Sequence, residues 1–310
     1  MPNTRPRPAA VVRDASAIEF FCDGLREMVP VVRERLKGVS SAATPTAVHD
    51  LRVAARRLRS VLRLWRPLLP KCARQAADAA RAAMRELNAL RDLDVLTDSV
   101  AAFSSEPAPG LTDAMAPVLA VMRQRRDELA AGASRQLAGT IGAEFMQTME
   151  ALLAATPSEW PRGAHARSAR VAGPLLKPVW SDFRKALKRA QARLTDMRCH
   201  RLRIAGKRLR YGLEAFSGYF GKPARRTVKS LRVFQDELGA FLDARNGERA
   251  VRALRKQLAA DPASDDALRA MAAAFRDDAR ERKAALPHLL DKVGRLRFKE
   301  FMRSAKGATR

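Results

Sequence analysis

Residues 48–65 read VHDLRVAARRLRSVLRLW, and residues 199–216 read CHRLRIAGKRLRYGLEAF. The two stretches align without a gap at an offset of 151 (200 − 49), which sets His49 on His200. Leu51, Arg52 and Ala54 then fall on Leu202, Arg203 and Ala205, and Arg56 falls on Lys207. Arg57, Leu58, Arg59 and Leu62 fall on Arg208, Leu209, Arg210 and Leu213. The register carries into the next segment, where Arg74 meets Arg225, Arg81 meets Arg232, Leu87 meets Leu238 and Asp92 meets Asp243. Agreement held this long at one offset marks an internal repeat. The expected architecture is all-α, with two similar four-helix bundles related by a pseudo-two-fold axis.

Each copy has helical periodicity. With His49 at zero and about 100° per residue, Arg52, Arg56, Arg59 and Arg63 fall at about 300°, 340°, 280° and 320°. Leu51, Ala54, Leu58, Leu62 and Trp65 fall between about 140° and 220°, the opposite face. The helix is therefore amphipathic, but its polar face is a row of cations. Like charges at i,i+4 cost a few tenths of a kcal/mol per pair, so an ordinary solvated face mixes signs. Here Arg52–Arg56 and Arg59–Arg63 are such pairs, and Asp50 is the one acid in the stretch. The second copy repeats the row with His200, Arg203, Lys207 and Arg210, and Glu214 stands where Arg63 stood. A carboxylate there is placed to hold Arg210 across one turn. Arg57 and Arg208 sit at about 80°, off the row, and form a second tier. Arg74, Arg81 and Arg85, and in the second half Arg225, Lys229 and Arg232, add cations from the third helix of each half. Asp92 and Asp243, in LNALRDLD and LGAFLD, are expected to orient arginines of the preceding helix or to be plain surface acids.

The bulk composition agrees with this reading. The chain has 310 residues, 47% hydrophobic, enough for a buried core, and only 5% aromatic. Ala and Leu dominate, which favours helix over sheet. Lys plus Arg number 59 against 33 Asp plus Glu, a formal net charge of +26. An excess of that size repels itself in the compact state and points to a polyanionic partner. Three separated cysteines, Cys22, Cys72 and Cys199, make no disulfide framework and fit a reducing cytoplasm. No apolar run is long enough for a membrane span.

Eight helical segments are expected, at about 15–37, 46–66, 71–103, 112–155, 175–194, 196–217, 222–258 and 262–290. Pro67 and Pro70 stop the second, and the Asp261-Pro262 pair starts the last. Residues 1–14 read as a basic arm, 15–157 as the first half, 158–173 as a Pro/Gly-rich linker, 174–292 as the second half and 293–310 as a basic, frayed tail.

Arginine's planar fork binds phosphate oxygens through two parallel charge-assisted hydrogen bonds. A line of forks suits a flexible repeating polyanion. It suits base reading poorly, because few aromatic or amide side chains are interleaved. His49 and His200 have no HxxxH, CxxC or carboxylate cluster nearby for a metal, and no matched nucleophile for catalysis. They fit as phosphate contacts or as orienters of the row; a hydrogen-bonded structural histidine is the alternative.

The pattern H-x-L-R-[VI]-A-x-[RK]-R-L-R, at 49–59 and again at 200–210, resembles the CHAD domain, the conserved histidine α-helical domain. RIAGKRLRYGLEAF at 203–216 is like the family's second motif, and RDLDVL at 91–96 resembles its third-helix motif. The resemblance runs from about 15 to 295, with Gly206 where the first copy has Ala55 and Phe216 matching Trp65. It implies two four-helix bundles, binding of inorganic polyphosphate in a basic central groove or pore, and association with polyphosphate granules. Some members are fused to a CYTH triphosphatase, but no ExExK motif is present. The expectation is a non-enzymatic, cytoplasmic polyphosphate binder without cofactor or metal. It would contact polyphosphate through His49, Arg52, Arg56, Arg59, Arg63, His200, Arg203, Lys207 and Arg210. A nucleic-acid-binding helical protein is the first alternative. A phosphohydrolase is the second, although such enzymes need metal-binding carboxylates or an activated nucleophile beside the phosphates.

Overall fold

The computed structural model describes residues 15–299 apart from 71, 72, 74, 75, 107, 259 and 260. The 1–14 arm, Cys72, Arg74 and the end of the tail from residue 300 lie outside the described residues. All regular structure among the described residues is helical: nine α-helices, a few 3-10 turns and one isolated β-bridge. None of these helices is long and apolar enough to cross a membrane.

Helix α1 spans Ala17–Ser41, opened by a capping box between Ser16 and Glu19. Helix α2 is Pro45–Trp65. Thr44 accepts a hydrogen bond from the Ala47 N–H at its start, and Pro45 fits the first turn, where no intrahelical donor is needed. A 3-10 turn over Arg66–Leu68, carrying Pro67, ends it. Helix α3 is Ala76–Ser104. The expected long fourth helix is two helices, α4 (Leu111–Ala138) and α5 (Thr140–Ala154). The helix breaks so sharply at Gly139 that a Cβ on Gly142 would collide with the Leu137 carbonyl oxygen. Periodicity alone does not reveal such a break, since both pieces are helical.

Helix α6 is Ser168–Ala192 and begins seven residues before the expected 175, through Pro174 and Pro178. Val171, Ala172, Leu175 and Leu176 are all buried there, and that packing outweighs the local cost of proline. Helix α7 is Asp196–Ala215, capped by Thr195. Helix α8, Ser217–Gln257, follows directly at Phe216, and α9, Pro262–Gly294, is capped by Asp261 as expected. Beyond α9 the described start of the tail is docked rather than frayed: Phe298 packs 5.7 Å from Trp180, and Arg184 Nη1 donates to the Gly294 carbonyl at 2.7 Å.

The main core gathers residues from helices of both halves. At its centre Trp65, 1% exposed, and Phe216, fully buried, meet with ring centroids 5.6 Å apart. These two positions are matched at the repeat offset. Phe21 sits 5.1 Å from Trp65, and Phe20 stacks on Phe216 at 5.6 Å. The segment before α6 is tied to the chain's beginning by paired backbone bonds, Ala17 N to Ala166 O at 2.8 Å and Ser168 N to Ala15 O at 3.0 Å. A second apolar cluster lies apart from the first. It joins Val100, Met115 and Met122 of α3 and α4 to Val251, Leu268 and Met271 of α8 and α9. The halves are therefore joined at two separate places. Trp65→Ala should cost about 3–5 kcal/mol of folding free energy, the range for emptying a buried aromatic site. Urea denaturation of the variant checks this.

Candidate functional site

The apolar backs of α2 and α7 set where their charged fronts go. Val48, Leu51, Leu58, Leu62 and Trp65 are buried on α2, and Cys199, Leu202, Ala205, Leu209 and Leu213 on α7. The two helices pack against each other and share the Trp65–Phe216 contact. Their cationic rows are thereby brought side by side. Arg52, Arg56 and Arg59 are partly buried, as are Arg203, Lys207 and Arg210, while Arg63 and Arg208 are exposed.

The mutual effect of these charges is visible group by group. Burial holds Arg56 below the ordinary arginine value, and Arg203, Arg210 and Arg91 push the same way against the opposing pull of Tyr211. Burial likewise lowers Arg59 and Arg63, and both feel the positive charge of Arg208 and Arg81. Arg208, placed off the row by the helical wheel, thus joins the field from α7. Lys207 responds most. Burial first, then Arg203, Arg56 and Arg210, bring its ammonium from 10.5 down to about 8, with Asp243 opposing.

The α7 side of the site is braced. Arg210 donates from Nε to Gln235 Oε1 at 2.9 Å and from Nη1 to Glu214 Oε1 at 3.1 Å. Arg232 donates to the same Glu214 oxygen at 2.7 Å. The expected role for Glu214 is therefore met, and it gathers a second arginine from α8. The Arg210 guanidinium also lies 4.5 Å from the Tyr211 ring centroid. Arg203 lies against α8 at Gly239, where an added Cβ would come within 3.4 Å of its Nε. That Nε is buried and has no hydrogen-bond partner, and neither has the Nε2 of the buried Gln235. On the α2 side, Arg52 donates to Asn88 of α3. Arg56, Arg59 and Arg63 have no salt bridge with a described residue.

The remaining expectations divide. His49 and His200 are exposed and make no hydrogen bond to each other. Desolvation, with Arg91 next in size, lowers the His49 value, so the imidazole is neutral at pH 7. Asp92 and Asp243 are exposed and act only at range, on Arg52 and Lys207. The buried acid of the third-helix motif is Asp94, which accepts from Arg126 Nε of α4 at 2.9 Å. Arg126 also donates to the Ala43 carbonyl just before α2, so Asp94 ties α4 to the start of α2 and holds no arginine of α2 itself. Arg57 is partly buried and without a salt bridge to a described residue. Arg81 is exposed and faces Arg59 and Arg63; Arg85 and Arg225 are also exposed. Lys229 borders a shallow pocket on the α9 side of α8, with Lys292 across it. Asn88, Arg91, Tyr211 and Gln235 were not anticipated. Among the described residues no group of three or more His, Cys, Asp or Glu side chains is placed to hold a metal.

An all-helical fold is also what similarity to known proteins describes. The chain belongs to the CHAD domain family: the family model for the CHAD domain matches residues 24–252. The crystal structure of the CHAD domain from the plant Ricinus communis is similar at 26% identity, with a TM-score of 0.72 over 94% of this chain and 96% of that one. PptA from Streptomyces chartreusis shares the fold at 17% identity, with a TM-score of 0.71 over 89% of this chain and all of that one. No curated protein sequence matches the chain.

The Lys207 shift makes a stability prediction. Between about 8 and 10.5 the unfolded chain holds a proton on this lysine that the folded chain has lost, so folding becomes more favourable as pH rises through that window. The Cys199 thiol, pushed up to about 11 by burial, works the other way above its ordinary 9.0. Wild type should therefore gain stability mainly between pH 8 and 9. Lys207→Gln should lack that gain, as urea midpoints across the range will show.

Proposed function

We propose that the chain binds inorganic polyphosphate along the joined cationic fronts of α2 and α7, as a binding protein and not an enzyme. The observation that carries the reading is the convergence of Arg56, Arg203, Lys207 and Arg210: beyond burial, the charges of Arg203 and Arg210 lower the proton affinity of both Arg56 and Lys207. A protein gains nothing in stability from such a cluster. A polyanion converts that repulsion into attraction, because each phosphate oxygen accepts from guanidinium donors left without partners.

The two-bundle duplication belongs to the same proposal. Two contacts between matched positions support a pseudo-two-fold axis between α2 and α7. Trp65 meets Phe216, and Arg56 acts on its counterpart Lys207. Contact between equivalent positions is what an isologous arrangement produces. On this reading the rows form two walls of one basic groove: His49, Arg52, Arg56, Arg59 and Arg63 on one side, His200, Arg203, Lys207 and Arg210 on the other. Arg208 lies near the α2 wall and Arg232 behind the α7 wall. Membership of the CHAD family supports polyphosphate as the polyanion and polyphosphate granules in the cytoplasm as the location.

Titration calorimetry with long-chain polyphosphate tests this. Binding should weaken steeply with salt, as counterion release requires. Changing Arg52, Arg56, Arg203 and Lys207 together to Ala should reduce affinity about a hundredfold or more and flatten the salt slope by about three to four. The same variant should melt no earlier than wild type, because repulsion is relieved. Unchanged affinity in a folded variant would move the site elsewhere. DNA or RNA of equal charge should compete poorly; if either displaces polyphosphate, the chain is a nucleic-acid binder. Hydrolysis of polyphosphate in the presence of Mg²⁺ would make it an enzyme.

A further inference from the structure

We propose that Lys207 is a site of N-acylation by small acyl phosphates, whose phosphate is seated by Arg56, Arg203 and Arg210. The inference rests on the anion-binding reading above and adds a modification to that site. Lys207 is a lysine in a row of arginines; Arg56 holds the matched position of the first copy. That difference is chemical, because a guanidinium stays charged in a protein whereas an amine can be freed.

The surroundings of Lys207 favour the free amine. Lys207 is half-buried, Arg203 and Arg210 flank it one turn away on either side along α7, and Arg56 acts on it from α2, which packs against α7; against burial and these three cations stands one exposed carboxylate, Asp243 of α8. The amine has no hydrogen-bond or salt-bridge partner among the described residues. With a value of about 8, about a quarter of the molecules carry the neutral amine at pH 7.5. A desolvated lysine beside other cations is the standard form of an activated amine nucleophile.

The same three guanidinium groups supply what an acyl phosphate needs. They hold its phosphate, and they stabilise the negative charge that collects on the leaving oxygen. The neutral Nζ attacks the carbonyl carbon and a C–N bond forms. The bond from that carbon to the phosphate oxygen breaks, and its electron pair leaves with inorganic phosphate. Nζ releases one proton to solvent, and the product is a neutral amide. No oxidant or reductant is involved. Half-burial of Lys207 limits the donor to small acyl groups. The acylated chain has one cation fewer in the groove, so its salt slope for polyphosphate should fall by about one.

The test exposes the full chain to acetyl phosphate at pH 8 and maps acetylation by peptide mass spectrometry over time. Lys207 should react about tenfold or more faster than Lys185 and Lys188, which are exposed on α6. Inorganic phosphate in excess should slow Lys207 and leave those two unchanged. The advantage of Lys207 should be smaller with N-acetoxysuccinimide, an uncharged donor with no phosphate to seat. Lys207→Arg should lose the fast-reacting site and leave the acetylation rates of Lys185 and Lys188 unchanged. The inference is overturned if Lys207 reacts with acetyl phosphate no faster than the exposed lysines, or if its advantage is the same for both donors. A chain that binds polyphosphate without fast acetylation sinks this inference alone. One that is acetylated quickly but fails to bind polyphosphate sinks only the polyphosphate reading.

Discussion

The packing of α2 on α7 is the constraint on which the rest depends. Their apolar faces must be covered, and the Trp65–Phe216 contact covers them against each other. Burying two large aromatics contributes several kcal/mol, well above the few tenths that each like-charge pair on a helix surface costs. Hydrophobic packing therefore wins and forces the cationic fronts together. The repulsion does not vanish; after burial, it is the next influence lowering Lys207, and it adds to burial at Arg56.

Most of this was legible in the chain before folding. The offset and the wheel depend only on residue order and helical pitch, and the Asp261-Pro262 pair opens the helix it was expected to start. What stayed hidden depends on three-dimensional placement. The break at Gly139 is invisible to a period that continues on both sides of it. Pro174 and Pro178 argue locally against the start of α6, and only the burial of Val171 and Leu176 overrules them. In the site, Glu214 was readable because its partner Arg210 is one turn away. Gln235 and Asn88 were not, because each reaches its arginine from another helix and carries no charge to mark it. Asp94 and Asp92 differ by two positions on one helix. Which of them is buried depends on where α4 lies, and the motif alone does not say.

The proposed duplication implies two equal walls, but α2 and α7 differ in a particular direction. On α7, Arg210 is fixed by Gln235 and by Glu214, and Glu214 is itself held by Arg232. On α2 the matched Arg59 has no salt bridge to a described residue, and Arg63 stands where the second copy has the acid. A braced guanidinium loses little rotamer entropy on meeting a phosphate, whereas a free one loses up to about 2 kcal/mol. The α7 wall is thus the preorganised one, and the α2 wall is the more cationic. Lys207 lies on the braced wall and faces the free one, which is why its ammonium feels the charge of both. The matched Arg210 and Arg59 thus differ in how firmly each is held before any ligand arrives.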